Sequence, residues 1–278
     1  MALPISSRFA VVAASAALAP TALAVGSMTL TSGDVSWSLN GLEGARLTDL
    51  GGKGDFKIGS YVSPFQHWMW YRTEHDSREF ALSNQTFSDI GTDHAALHYT
   101  EDAGGFNDAL LFVTEYTVAD LGGGIGEATV NFGVFNLLGA GIAFNLYSYT
   151  DADMGGTATD ESAIVSGPLN EVQSVVDATT GSTLTYTAST RRLEGYEIAA
   201  FGDILPRLTD TDDDALANVG SPFGPGDYTG AYQWNASVTN LSVAFVGSVK
   251  YRWEVVPEPS LMLMGGLAGV AILKRRKR

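Results

Sequence analysis

Between residues 25 and 256 the chain runs in short stretches where apolar residues alternate with small polar ones, parted by clusters of Gly, Asp, Asn and Thr. The alternation is plainest in Val35-Ser36-Trp37-Ser38-Leu39 and in Val130-Asn131-Phe132-Gly133-Val134-Phe135. Successive side chains of a strand point to opposite faces, so a period of two means one buried face and one small or wetted face. Such runs predict strands at 28–31, 35–39, 57–62, 67–72, 95–100, 110–118, 128–137, 142–149, 171–176, 183–187, 197–201, 231–238 and 243–253. Long helical patterns are missing, and one brief helix is expected near 204–208. Turn-forming clusters fall at 51–55, 101–107, 122–126, 154–159 and 220–230. No fixed-period repeat is present, which argues against a solenoid or propeller. The expectation is an all-β, jelly-roll-like β-sandwich. Two sheets packed about 10 Å apart would absorb most of the aromatic side chains.

Both ends break this rhythm. Arg8 supplies a positive start, 9–19 an apolar stretch, and Ala22 and Ala24 put small residues at the cleavage-determining positions. Residues 1–24 therefore read as a secretory signal peptide, with a mature chain beginning at Val25. At the other end Pro257 and Pro259 fix their own φ, lack backbone donors and push their neighbours toward extended conformations. Pro257-Glu258-Pro259 is thus a stiff, accessible peptide. An uncharged apolar run at 261–273 follows, then Lys274, Arg275, Arg276, Lys277 and Arg278, which the positive-inside bias keeps cytoplasmic. Thirteen residues make a transmembrane helix of about 20 Å, short of the ~30 Å hydrocarbon core; snorkelling by Lys274 and Arg275 brings the span closer.

In the order of its parts this terminus resembles the PEP-CTERM sorting tail, the signal recognised by exosortases, membrane transpeptidase-like enzymes of Gram-negative bacteria. The resemblance covers the tail alone: Pro257, Glu258 and Pro259 match the motif, 261–273 the helix, and Lys274 to Arg278 the basic stop. It implies an inner-membrane-anchored precursor, processing near the motif by an exosortase-type enzyme, and delivery to the cell surface or an extracellular polysaccharide matrix. This kind of tail also carries the name of an ice-binding protein C-terminal domain, which describes the address and not ice binding. With the signal peptide, export by the Sec route and signal peptidase is expected. The organisation is then a signal peptide at 1–24, an acidic ectodomain at 25–256 and a sorting signal at 257–278.

Of the 16 Lys and Arg six lie in the two ends, and of the 31 Asp and Glu one does, so residues 25–256 hold ten bases against thirty acids, a net charge of −20. Such a surface repels phosphate backbones, which argues against nucleic-acid binding, and it suits divalent cations. Cysteine is absent, which removes disulfides, thiolate catalysis and thiolate metal sites together. Asp151-Ala152-Asp153-Met154-Gly155-Gly156, followed by Asp160 and Glu161, alternates carboxylates ahead of a glycine turn. That arrangement can wrap oxygens around Ca²⁺, with Asp151, Asp153 and Asp160 as candidate ligands; a solvated turn is the plain alternative, since EF-hand spacing is missing. A second run, Asp210-Thr211-Asp212-Asp213-Asp214, is either hydrated or holds metal.

Trp68 and Trp70 share a strand face and form either a glycan-stacking platform or core; Tyr228, Tyr232 and Trp234 make a second aromatic group. His94 and His98 have helical spacing, but on a strand they stand about 13 Å apart, too far to share a metal. Glu194 and Glu197 are the kind of paired acids glycoside chemistry uses, and such pairs arise readily by chance among 31 acids. A nucleophile elbow, a phosphate-cradling loop and a zinc-protease motif are all missing, so no catalytic residue is assigned. The expected role is a structural or polysaccharide-associated surface protein. Its rival is a polysaccharide-directed enzyme, of glycoside hydrolase or lyase type, on the same sandwich.

Overall fold

The computed structural model describes residues 25–42, 51–156, 158–238 and 243–256. The expected signal peptide at 1–24 and the expected sorting tail at 257–278, with its apolar run, lie outside the described residues. Among those described, no helix is long and apolar enough to cross a membrane.

In chain order the strands are β1 (Ser27–Ser32), β2 (Val35–Asn40), β3 (Lys53–Ile58), β4 (Tyr61–Thr73), β5 (Phe80–Ala81), β6 (Gln85–Ile90), β7 (His94–Ala103), β8 (Phe106–Gly122) and β9 (Ile125–Asn136). They continue as β10 (Ile142–Ala152), β11 (Glu161–Ser166), β12 (Val172–Asp177), β13 (Thr183–Ala188), β14 (Leu193–Ala200), β15 (Phe223–Gly226), β16 (Tyr228–Val238) and β17 (Val243–Glu254), with helix α1 (Ile204–Thr209) between β14 and β15. They form two antiparallel sheets. The first has the order β1-β2-β3-β4-β10-β16-β14 with β5 beside β4; the second runs β15-β11-β12-β13-β17-β9-β8-β7-β6. The fold is the expected two-sheet, all-β sandwich.

Aromatic rings fill the space between the sheets. Phe56 of β3 stacks on Trp253 of β17 at 3.7 Å, and Trp37 of β2 meets Tyr116 of β8 at 5.6 Å. Tyr186 of β13 lies at 4.7 Å from both Tyr232 of β16 and Tyr251 of β17. All five tryptophans are at most 1% exposed. Each buried aromatic adds 150–250 Å² of removed surface, so this layer dominates the favourable side of folding. His67 lies within it, fully buried, its Nδ1 2.7 Å from the Tyr251 hydroxyl; burial pushes its pKa down to about 3, so the ring is neutral.

Strand β4 is buried on both faces from Phe65 to Tyr71. Its second face is covered because Tyr147, opposite Trp70 on β10, donates to Glu79 and to the carbonyl of Asp214, while Arg72 reaches Glu79 and Asp213. The chain around α1 therefore lies over the outside of the first sheet.

The local departures from expectation have local causes. The strand expected at 57–62 spans the β3–β4 hairpin, which turns at Gly59 with φ +58°. The loop expected at 51–55 contains the start of β3. β6 and β11 lie outside the expected strands because their buried positions are not large apolar residues: β6 buries Gln85, and β11 buries Glu161 and Ala163.

Candidate functional site

One end of the sandwich gathers two groups of carboxylates around the connection from β10 to β11. Asp151 is near the end of β10, opposite Gln66 of β4 and Thr229 of β16. Asp153 is held against the start of β4, where its amide donates to the Pro64 carbonyl at 3.1 Å and its own carbonyl accepts from the Ser63 hydroxyl at 3.1 Å. Asp227 stands just before β16, and its carbonyl accepts from the Phe201 amide at 3.0 Å. One carboxylate oxygen of each lies within 4.8 Å of the others. With Lys53, Gln66 and Phe201 they border a cleft of about 320 Å³, within the ~300–1,000 Å³ typical of small-molecule sites.

Burial, with repulsion from Asp153 and Asp227, pushes the Asp151 carboxyl up to about 7, and Lys53 offsets this only in part. Burial also raises Asp153, helped by Asp227, and raises Asp227 itself. Oδ1 of Asp151 has no hydrogen-bond partner, and neither does the hydroxyl of fully buried Tyr149, two residues back on the same face of β10. Burial and the three nearby carboxylates hold that phenol well above its ordinary range. A buried polar atom without a partner costs about 1–3 kcal/mol; Asp151, which lines the cleft, keeps hydrogen-bonding capacity that a polar ligand would use, while Tyr149 is buried and does not line it.

The second group is Asp160, Glu161 and Asp177, also with an oxygen of each within 4.8 Å of the others. The turn at Met154–Gly156 brings it beside the first: Gly155 takes φ +68°, and a Cβ there would sit 2.8 Å from Thr180 and 3.6 Å from Oδ2 of Asp177. The expected calcium set of Asp151, Asp153 and Asp160 is thereby divided. Asp151 and Asp153 join Asp227, while Asp160 turns to the β11–β12 ladder with Glu161 and Asp177. Neither Asp177 nor Asp227 was singled out in the sequence, because strand register rather than local spacing delivers them.

The remaining candidates take structural roles. Trp68 and Trp70 are each 1% exposed, Trp68 donating to the Leu82 carbonyl and Trp70 set edge-on to Tyr149. Neither offers a face to a glycan, because both rings are buried, Trp68 edge-on to Tyr99 of β7; Tyr228, Tyr232 and Trp234 are likewise buried. His94 and His98 lie on strand β7. Glu197 is tied to Arg207 at 2.6 Å and to the Ala217 amide at 3.0 Å. Asp213 pairs with Arg72 at 2.5 Å and Asp214 with Arg207 at 3.3 Å. The expected signal-cleavage residues Ala22 and Ala24, the expected sorting motif Pro257 to Pro259 and the expected basic stop at Lys274 to Arg278 lie outside the described residues.

A larger cleft of about 590 Å³ is lined by Tyr71, His75, Arg78, Phe80, Glu101 and Asp102. Its acids mostly organise loops: Glu101 accepts from the Ser83 and Asn84 amides, and Asp102 from the Asp108 amide. Burial pushes Glu101 up to about 7.

The fold defines the class of the protein as a two-sheet antiparallel β-sandwich. No protein-family model matches the sequence, and no curated protein is similar to it in sequence. Among solved structures, a protein assigned as an aldose 1-epimerase from Escherichia coli K12 matches with a TM-score of 0.51 at 9% identity, over 83% of this chain and 100% of that one. A bacterial glucoamylase complexed with acarbose matches with a TM-score of 0.49 at 11% identity, over 84% of this chain and 32% of that one. The first likeness shows a shared fold.

Proposed function

We propose that this is an exported cell-surface or matrix protein whose sandwich binds polysaccharide in the Asp151 cleft. The observation that carries this reading is the unsatisfied Asp151 Oδ1 together with the Phe201 ring, 55% exposed, both lining the same cleft. A saccharide supplies what that surface lacks: hydroxyls that donate and accept, on a ring with apolar C–H faces. The solved protein of like fold is named as a sugar epimerase, which is in keeping with a sugar-sized ligand here. Export and sorting follow from the signal peptide and the PEP-CTERM-like tail, with exosortase-type processing at Pro257-Glu258-Pro259.

Binding is tested with the purified protein and the producing cell's own polysaccharide. Asp151→Asn and Phe201→Ala should each weaken retention about tenfold, corresponding to roughly 1.4 kcal/mol; unchanged retention in both overturns the cleft assignment. Sorting is tested by mass spectrometry of membrane and extracellular fractions. The expected chain begins at Val25 and ends near the motif, and an uncut chain recovered from the cytosol overturns that reading.

The rival enzyme reading rests on Asp151 alone, a carboxyl near 7 that can donate a proton to a glycosidic oxygen at neutral pH. Its partners, with oxygens within 4.8 Å, are closer than the ~6.5–9.5 Å an inverting glycosidase leaves for water. A retaining mechanism or a lyase is the form that survives, and release of reducing ends from the same polysaccharide is its assay.

A further inference from the structure

Glu161 and Asp177 face each other directly across the β11–β12 pair, and both are fully buried. Like charges opposite one another in an antiparallel ladder repel, and burial magnifies the repulsion. Asp160 adds a third carboxylate within 4.8 Å. Two of the three are anchored as acceptors: Asp160 Oδ2 takes the Thr179 amide and hydroxyl, and Asp177 Oδ1 takes those of Thr180. Glu161 is different. Its carboxylate receives the Met154 amide at 3.3 Å on Oε1 and its own backbone amide, its Oε2 has no partner, and no ion pair reaches it among the described residues. A fully buried carboxylate oxygen is thus aimed among two other carboxylates with nothing to neutralise it.

We propose that Asp160, Glu161 and Asp177 hold one Ca²⁺ ion, which fastens the start of β11 to the end of β12. A hard cation of this kind takes six to eight oxygens, and a glutamate can give two. Glu161 supplies Oε2 and, by releasing the weak Met154 contact, Oε1. Asp160 and Asp177 each keep one oxygen for the threonine turns and turn the other to the ion. Gly155 leaves space beside Asp177 that any side chain would fill, and the Tyr61 hydroxyl, which accepts from the Gly155 amide at 2.8 Å, borders the same pocket. Ca²⁺ is favoured over Mg²⁺ because carboxylates fixed by strand register do not offer near-ideal octahedral geometry. The site is separate from the proposed saccharide cleft and does not depend on it.

The test uses the full chain, purified in detergent and stripped with chelator, then titrated with CaCl₂ by calorimetry and followed by thermal unfolding. One ion per chain is expected, with Tm rising about 5–10 °C at a hundredfold excess over Kd. Glu161→Gln and Asp160→Asn should each lower the affinity at least tenfold, and Glu161→Gln should unfold at a higher temperature than the wild type without calcium, because it removes the repulsion. Asp151→Asn should bind calcium as the wild type does. A Tm unmoved by millimolar CaCl₂, or equal calcium response in wild type, Glu161→Gln and Asp160→Asn, overturns the proposal. Loss of binding in Asp151→Asn alone also overturns it, by placing the ion in the neighbouring cleft.

Discussion

In the acidic segment at 210–214 Asp213 and Asp214 lie against arginines, while the acids at 151–161 lie against other acids. Asp213 and Asp214 meet Arg72 and Arg207, and Arg72 and the Asp214 amide both reach Glu79, which is 1% exposed and keeps Oε2 without a hydrogen-bond partner. Asp151, Asp153 and Glu161 have their carboxyls raised by burial and by neighbouring acids, and Asp227 by burial, with Lys53 the one cation among the main influences on Asp151. A paired run of acids seals a layer of chain onto the sheet. An unpaired one leaves free energy that a proton, a cation or a ligand hydroxyl recovers.

The contrast breaks most visibly at Arg72. Its Nε lies 3.5 Å from Glu79, whose side chain has no solvent exposure, so Arg72→Ala leaves a buried charge behind. The expected loss is about 3–5 kcal/mol in urea unfolding, and Arg72→Ala with Glu79→Gln should recover much of it. A single-variant loss under about 1 kcal/mol would mean that the acids over the first sheet are not held by arginine.

A smaller effect of opposite sign belongs to the other segment. The Asp151 carboxyl is raised from 3.8 to about 7 on folding, so folding favours its protonated form. That contribution is complete below about pH 4 and is lost as pH rises through 7. Asparagine resembles the protonated acid at every pH. In chelator, Asp151→Asn should match the wild type at pH 4 and exceed it by about 2–4 kcal/mol at pH 8. Buried His67 and His98, pushed down to about 3 and 4, give the whole protein an opposing slope, so the difference between the two chains is the quantity to follow. A variant less stable than wild type at pH 8 contradicts the crowding of these acids.

The smallest change is expected at Asp213. Its side chain is 70% exposed, and an exposed ion pair contributes little even at 2.5 Å. Asp213→Ala should stay within about 0.5 kcal/mol of the wild type, and should approach it further in 1 M salt. A larger loss would show that Arg72 needs its outer acid as well as Glu79.

Much of the sandwich is legible because a strand buried on one face writes its period into the sequence. Val35 to Asn40 alternates buried and half-buried positions as its residues suggest, and Gly122, Gly123 and Gly124, with φ of 76°, 66° and 81°, make the tight β8–β9 turn that only glycine adopts freely. Strand β4 is less legible, because burial on both faces erases the distinction between a tryptophan that meets sugar and one that meets core. The carboxylate groups were half legible. Asp151, Asp153 and Asp160 announce themselves by spacing, but Asp177 comes from the next strand, opposite Glu161, and Asp227 from the turn just before β16, and the pairing of strands decides which acids meet.

Strand β17 ends beside the described C-terminal edge at Val256 and is hydrogen-bonded on both sides, by β13 and by β9. A pull on Val256 along the strand axis therefore loads both ladders in shear, straining many bonds together instead of unzipping them singly. Tension arriving from that direction meets a strand paired on both sides and not a sheet edge.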